Sequence, residues 1–217
     1  MNKKEPWPTK NAMKQIYHMK LWGDNNTPFY SGFGSHDPII VAPYIAALTS
    51  FLSAFKNPLK VCDLGCGDFN VGEKLVKHTQ QYIAIDIVEE LIAYNQEKFQ
   101  EKNLSFQCLD IAVDELPAGD CILIRQVLQH LSNAEILRII PKLACFKYVI
   151  VTEHVPEGDF VPNIDIISGQ GIRLKIQSGL DLSAPPFHVK AKEEKQLLSV
   201  TLNQGHGLIV TTLYQNF

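Results

Sequence analysis

Five short apolar runs constrain the fold of this chain more than any other feature. They are Val61–Leu64, Tyr82–Asp86, Leu104–Asp110, Cys121–Ile124 and Tyr148–Val151. Each has strand length, and helical patterns sit between most of them. Repeated strand-helix units of this kind build a parallel sheet with helices on its faces. Ligands of such sheets sit beyond the carboxyl ends of the strands, and the polar residues closing these runs stand there.

The first run opens into Asp63-Leu64-Gly65-Cys66-Gly67-Asp68. Glycine at 65 and 67 lets the backbone bend tightly and approach a ligand with no Cβ in the way. Asn70 and Glu73 have the spacing of an N-cap and its N3 partner, which predicts a helix directly after the turn. About 20 residues beyond the turn, the second run ends in Asp86, where a doubly wound sheet holds ribose hydroxyls. The third run ends in Asp110.

At these residues, over roughly 58–154 and the terminal hairpin, the chain resembles the class I S-adenosylmethionine-dependent methyltransferases. Asp63-x-Gly65-x-Gly67 is similar to the first half of their acidic glycine-rich motif, with Phe69 where the family often has a third glycine. The resemblance implies S-adenosylmethionine as cofactor, with Asp86 on its ribose and Asp110 on its adenine amino group. Ile87, Ile111 and Gln126, next to these strand ends, join Asp63, Gly65 and Gly67 as candidate cofactor contacts. Tyr30 and Ser35 are candidates by resemblance alone, from an aromatic-glycine loop that reads equally as ordinary connecting chain.

A dinucleotide oxidoreductase is the rival for the same turn. It needs G-x-G-x-x-G to admit a pyrophosphate, and Asn70 stands at the third glycine. Asp63 would repel phosphate but suits a ligand carrying a sulfonium and an ammonium. A noncatalytic scaffold that binds the donor is a further alternative. Two late runs, 196–202 and 208–214, flank a glycine-containing turn with His206 and predict an antiparallel hairpin. The expected fold is a Rossmann-like doubly wound seven-stranded sheet, mostly parallel, with helices on both faces and this hairpin at its end.

Candidate chemistry also lies past the fourth and fifth runs. Arg125-Gln126-Val127-Leu128-Gln129-His130 follows the fourth, and Ser132-x-x-Glu135 is a capping box for the next helix. By resemblance His130 stands beside the reacting methyl group as a catalytic residue. Its other reading is a histidine that satisfies a buried backbone group. Arg125, Glu153, His154 and Arg173 are the candidate substrate contacts. The resemblance implies in-line displacement, in which alignment supplies up to about 7–11 kcal/mol and a base such as His130 adds about 10²–10⁴-fold for a hydroxyl acceptor.

The chain has 217 residues, 46% of them hydrophobic, enough for one core over 1–217. Within it we distinguish an N-terminal helical cap and lid loop (1–57), a cofactor-binding core (58–154), an irregular substrate-side insertion (155–192) and the terminal hairpin (193–217). Asp37-Pro38 and Thr9 open the two helices of the cap. A net charge of −3 offers no field for nucleic acid, and no run approaches membrane-spanning length. In the family this chain resembles, nucleobase amino methylation usually displays an Asn/Asp-Pro-Pro-aromatic motif after the fourth strand; none follows the fourth run, so the resemblance implies an oxygen or nitrogen of a small molecule. Five cysteines, mostly in apolar runs, point to a reducing compartment and the cytoplasm, and their spacing does not make a metal site.

Overall fold

The computed structural model describes residues 7–202 and 207–215; His206 lies outside the described residues. Seven strands form one sheet: β1 Lys60–Leu64, β2 Gln81–Asp86, β3 Leu104–Cys108, β4 Cys121–Arg125, β5 Tyr148–Val155, β6 Glu193–Thr201 and β7 Leu208–Gln215. Their order is β3-β2-β1-β4-β5-β7-β6, parallel except for β7, which runs antiparallel to both β5 and β6. The order reverses direction beside β1, between β1 and β4, so the crevice expected of a doubly wound sheet opens there.

Strand alternation divides the core between the two faces. Cys62 and Leu64 of β1, with Ile122 and Ile124 of β4, pack against Ile16 of α1 (Thr9–His18) and Ile136, Ile139 and Leu143 of α4 (Asn133–Leu143). Val61 and Leu123 face the other way, onto Tyr44, Leu48 and Leu52 of α2 (Pro38–Ser53). The caps read from sequence are in place. The Asp37 side chain accepts from Ile39 N at 2.8 Å, and Ser132 and Glu135 form a reciprocal capping box. Among the described residues, no helix is long and apolar enough to cross a membrane.

Two expectations fail locally. No α-helix follows the glycine turn, because Asn70 does not cap one: its Nδ2 donates to Ser35 O at 2.7 Å, and short 3-10 turns at Gly72–Lys74 and Val76–His78 lead to β2. Asp68 takes the Asn70 N–H instead, at 3.3 Å. The link from β3 to β4 also lacks a helix; α3 (Glu89–Lys98) and α4 are the helical crossovers. Residues 156–192 hold one 3-10 turn, Arg173–Ile176.

Candidate functional site

Register places the functional edge in one row. Leu64 pairs with Ile85 and with Ile124, so Gly65, Asp86 and Arg125 emerge at the same level. Asp86 is paired with Cys108 on one side, and Arg125 with Thr152 on the other. A cavity of about 400 Å³ lies over this row. That is within the usual range for small-molecule sites.

Gly65 has φ +79° and Gly67 φ +57°, and a Cβ on either would overlap a neighbour, Val127 or Ser31. The turn is tied back to the sheet by Gly65 N and Cys66 N, which donate to Ile85 O at 2.8 and 2.9 Å. Gly67 N donates to Asp86 Oδ2 at 3.1 Å, and Val88 N to Asp86 Oδ1 at 3.1 Å. Asp63, buried behind the turn, accepts from Tyr82 Oη at 2.8 Å. Burial raises its carboxyl to about 6 against that bond and the Arg125 charge, and burial also raises Asp86.

Phe69 departs from the glycine the family often carries, yet its backbone takes the glycine conformation, at φ +62°. Its ring is fully buried in edge contacts with Tyr82, Phe99 and Phe106. A left-handed non-glycine costs on the order of 1–2 kcal/mol. Aromatic edge contacts of about 0.5–1.5 kcal/mol each offset that cost.

An N-terminal strap closes the cavity. Ser31 N donates to Asp68 Oδ2 at 2.9 Å, Asp68 N donates to Ser31 Oγ at 2.7 Å, and His36 Nε2 lies 2.6 Å from Asp68 Oδ2. Tyr17 Oη stands 3.0 Å from Ser31 Oγ, and Tyr17, Trp22 and Ser31 all line the cavity. These residues carry little local signal in the sequence. Tyr17 follows Met13 and Ile16 at helical spacing and reads as core, and nothing local announces that Ser31 and Asp68 exchange two bonds across 37 positions.

Eleven of the expected site residues line this one cavity: Ser35, Asp63, Gly65, Gly67, Asp86, Ile87, Asp110, Ile111, Arg125, Gln126 and His130. Asp110 Oδ1 accepts from Ala112 N at 2.9 Å. Gln126 is held at φ +56°, a strained conformation for a residue with a side chain, as the chain leaves β4. Four others do not line it. Tyr30 stacks on the His36 ring, centroids 4.6 Å apart, and its neighbour Ser31 takes the place expected for it.

Glu153, His154 and Arg173, expected as substrate contacts, do not line the cavity, and bonds from all three hold the turn that carries His130. Glu153 accepts from Leu128 N and Gln129 N, both at 3.0 Å. His154 N donates to Gln129 Oε1 at 3.0 Å. Arg173 is 1% exposed and donates to Leu128 O at 3.0 Å, Leu131 O at 2.8 Å and Asn133 Oδ1 at 2.7 Å. An acid thus binds the amide side of the turn while a guanidinium binds its carbonyl side. Burial raises the Glu153 carboxyl to about 8, opposed by its amide donors and by Arg173.

His130 itself faces the cavity beside Trp22, with ring centroids 5.2 Å apart. Its Nδ1 is 3.0 Å from Gly169 O, so the tautomer that carries its proton there leaves Nε2 as an acceptor, with the Gln129 Nε2 donor 3.4 Å away. Burial depresses the imidazole to about 4. At neutral pH the ring is uncharged, and a base that weak is poorly matched to deprotonating a hydroxyl. Its geometry suits accepting a hydrogen bond and orienting a bound group.

Residues 61–145 match the family model described as "Methyltransferase domain". No curated protein matches the sequence. Among solved structures, the methyltransferase fold is shared with the N-methyltransferase NodS from Bradyrhizobium japonicum WM9 in complex with S-adenosylhomocysteine. That match has a TM-score of 0.66 and 15% identity, and covers 94% of this chain and 98% of that one. Magnesium protoporphyrin IX methyltransferase from Synechocystis PCC 6803, with bound S-adenosylmethionine, gives a TM-score of 0.60 at 17% identity over 98% of this chain and all of that one. The [4+2]-cyclase SpnF shares the fold at TM-score 0.53 and 19% identity, covering 75% of this chain and 70% of that one.

Proposed function

We propose that this methyltransferase domain binds S-adenosylmethionine in the cavity over β1, β2 and β4 and transfers its methyl group to an oxygen or nitrogen of a small molecule. The observation that carries the reading is the gathering of Asp63, Asp86 and Asp110 from three strand ends around one glycine turn. Bound there, the cofactor supplies a methyl group on a positively charged sulfur, a ready electrophile. The residues fit such a molecule: Asp86 stands where a diol would accept or donate, Asp110 near an adenine edge, and the bare turn at Gly65 and Gly67 admits a close ligand. Acid-rich walls disfavour a pyrophosphate, which weighs against a nicotinamide dinucleotide.

The acceptor side of the same cavity is formed by Trp22, His130 and Ile172, with Gln129 and Gln170 as polar groups. Gln170 also donates to Leu21 O at 2.8 Å, tying the 155–192 segment to the strap. These residues exclude water and hold an acceptor in line, and His130 orients it through Nε2. Little proton transfer is asked of the protein.

Thermal shift and calorimetry with S-adenosylhomocysteine and NAD test the reading. A ligand specific for the native state raises the melting point. Stabilisation by S-adenosylhomocysteine but not NAD is expected, with the effect reduced in Asp86→Ala. Stabilisation by NAD alone would overturn the proposal.

A further inference from the structure

Ser168-Gly169-Gln170 is tied down on both sides of its middle residue. Ser168 Oγ donates to Glu135 Oε2 and accepts from Ser132 N at 2.8 Å, which fixes it to the first turn of α4. Gln170 Nε2 donates to Leu21 O at 2.8 Å, next to Trp22. Between these anchors Gly169 grips His130 twice: its N–H donates to His130 O at 3.0 Å, and its carbonyl lies 3.0 Å from His130 Nδ1. Glu135 meanwhile does more than cap a helix. A capping box needs its carboxylate only for the Ser132 N–H, met at 3.2 Å. That carboxylate also takes the hydroxyls of Thr9, Ser132 and Ser168, from α1, the cap and the 155–192 segment. It is buried, and among the described residues no cation pairs with it, so hydrogen bonds alone hold it and join three segments at one point.

A neutral imidazole carries its proton on either nitrogen, and the partner of one nitrogen decides which. A carbonyl only accepts. Gly169 O fixed beside Nδ1 therefore draws the proton there and leaves the Nε2 lone pair to the cavity, whereas a displaced Gly169 removes that bias. The Gln129 amide, 3.4 Å from His130 Nε2, is the weaker restraint, since it stands near the outer limit of a hydrogen bond.

We propose that Ser168 and Glu135 are positioning residues for His130: by anchoring Gly169 they set the tautomer of its ring, and with it the hydrogen-bonding sense of the acceptor side of the cavity. His130 then takes a hydrogen bond from an O–H or N–H of the acceptor and offers none to a carboxylate. The use made of that lone pair rests on the function proposed above, but the tautomer itself does not. The 155–192 segment thus acts on the site through one backbone carbonyl, held by a carboxylate on a different element.

Proton–nitrogen correlation NMR of protein labelled at the histidine ring nitrogens reads the tautomer directly, with the His130 signals identified by their loss in His130→Gln. At neutral pH and without cofactor, the wild type is expected to hold the Nδ1–H form in about tenfold excess, as one well-formed hydrogen bond allows. Ser168→Ala should reduce that excess to about threefold or less, and Ser168→Thr, which keeps the hydroxyl, should restore it. An Nε2–H ring in the wild type overturns the inference. So does a Ser168→Ala protein that keeps the wild-type tautomer, whatever its melting temperature, since Ser168 would then only cap α4. If Ser168→Ala does not fold, Glu135→Gln decides: a reduced excess supports the inference and an unchanged one overturns it. No cofactor takes part in this measurement, so a protein that fails to bind S-adenosylhomocysteine still gives one result or the other, and the two readings fail separately.

Discussion

The turns after β1 and after β4 face the same cavity but are built by opposite means. The first is bare backbone: Gly65 and Gly67 bend it, and bonds to Ile85 O and Asp86 hold it to the adjacent strand. The second, from Gln126 to Leu131, is dense with side chains and is held from outside by Glu153 and Arg173. An invariant ligand can be met by a turn whose geometry is encoded within a few residues. A variable partner needs a surface that distant segments can reshape, and the 155–192 segment braces that turn through Gly169 and Arg173.

The largest expected effect comes from breaking the second turn. Arg173→Met leaves the Ile164, Leu128 and Leu131 carbonyls without their donor and, at about 1–3 kcal/mol for each unsatisfied buried group, should destabilise the fold by about 3 kcal/mol or more, read by chemical denaturation. If the two turns are independent, the folded fraction should still bind S-adenosylhomocysteine with little change. A parallel collapse of that affinity would show the turns to be one unit.

Phe69→Gly probes the first turn from below. Loss of a buried ring costs about 3–5 kcal/mol and relief of the left-handed backbone returns about 1–2 kcal/mol, so net destabilisation near 2 kcal/mol is expected. Because φ already suits glycine, cofactor affinity should hold. Gly67→Ala acts on the same turn from above. Its Cβ would displace Ser31 and sit at positive φ, so a stability loss of about 1–2 kcal/mol is expected, together with a weakened strap seen as faster amide exchange at residues 31–36.

The smallest effect is a pH dependence located in the second turn. His130 has a folded pKa depressed to about 4 from 6.5, so the unfolded chain binds the additional proton between those values. Stability therefore falls as pH drops from 6.5 toward 4. A fully buried ring would lose about 3 kcal/mol, and because this one is partly exposed about half of that is expected. The difference between wild type and His130→Leu, followed by denaturation at pH 7 and pH 4.5, isolates it. A difference that does not change with pH would mean that His130 is not held neutral by its surroundings.

Legibility in the sequence follows the same division. The strands, the α2 and α4 caps, the glycine turn and the three aspartates are local patterns, and the structure places them as read. The helix expected after Asn70 fails because Asp68 accepts the Asn70 N–H that a capping box would give to Glu73, while the Asn70 amide is tied to Ser35 O instead of to the following turn. Glu153 and Arg173 read as polar residues near a ligand edge. Only their partners, 24 to 45 positions away, reveal that they hold a turn.

What the chain's order of residues determined was the sheet, its carboxyl-edge crevice and the acidic, glycine-lined wall of that crevice. Periodicity and turn chemistry act over a few residues, so they survive in one dimension. Which polar groups are free to meet a ligand was decided by tertiary structure, through the strap locked to Asp68 and the clamp around His130. A hydrogen bond engages a group wherever in the chain its partner lies, so availability exists only once the chain is folded.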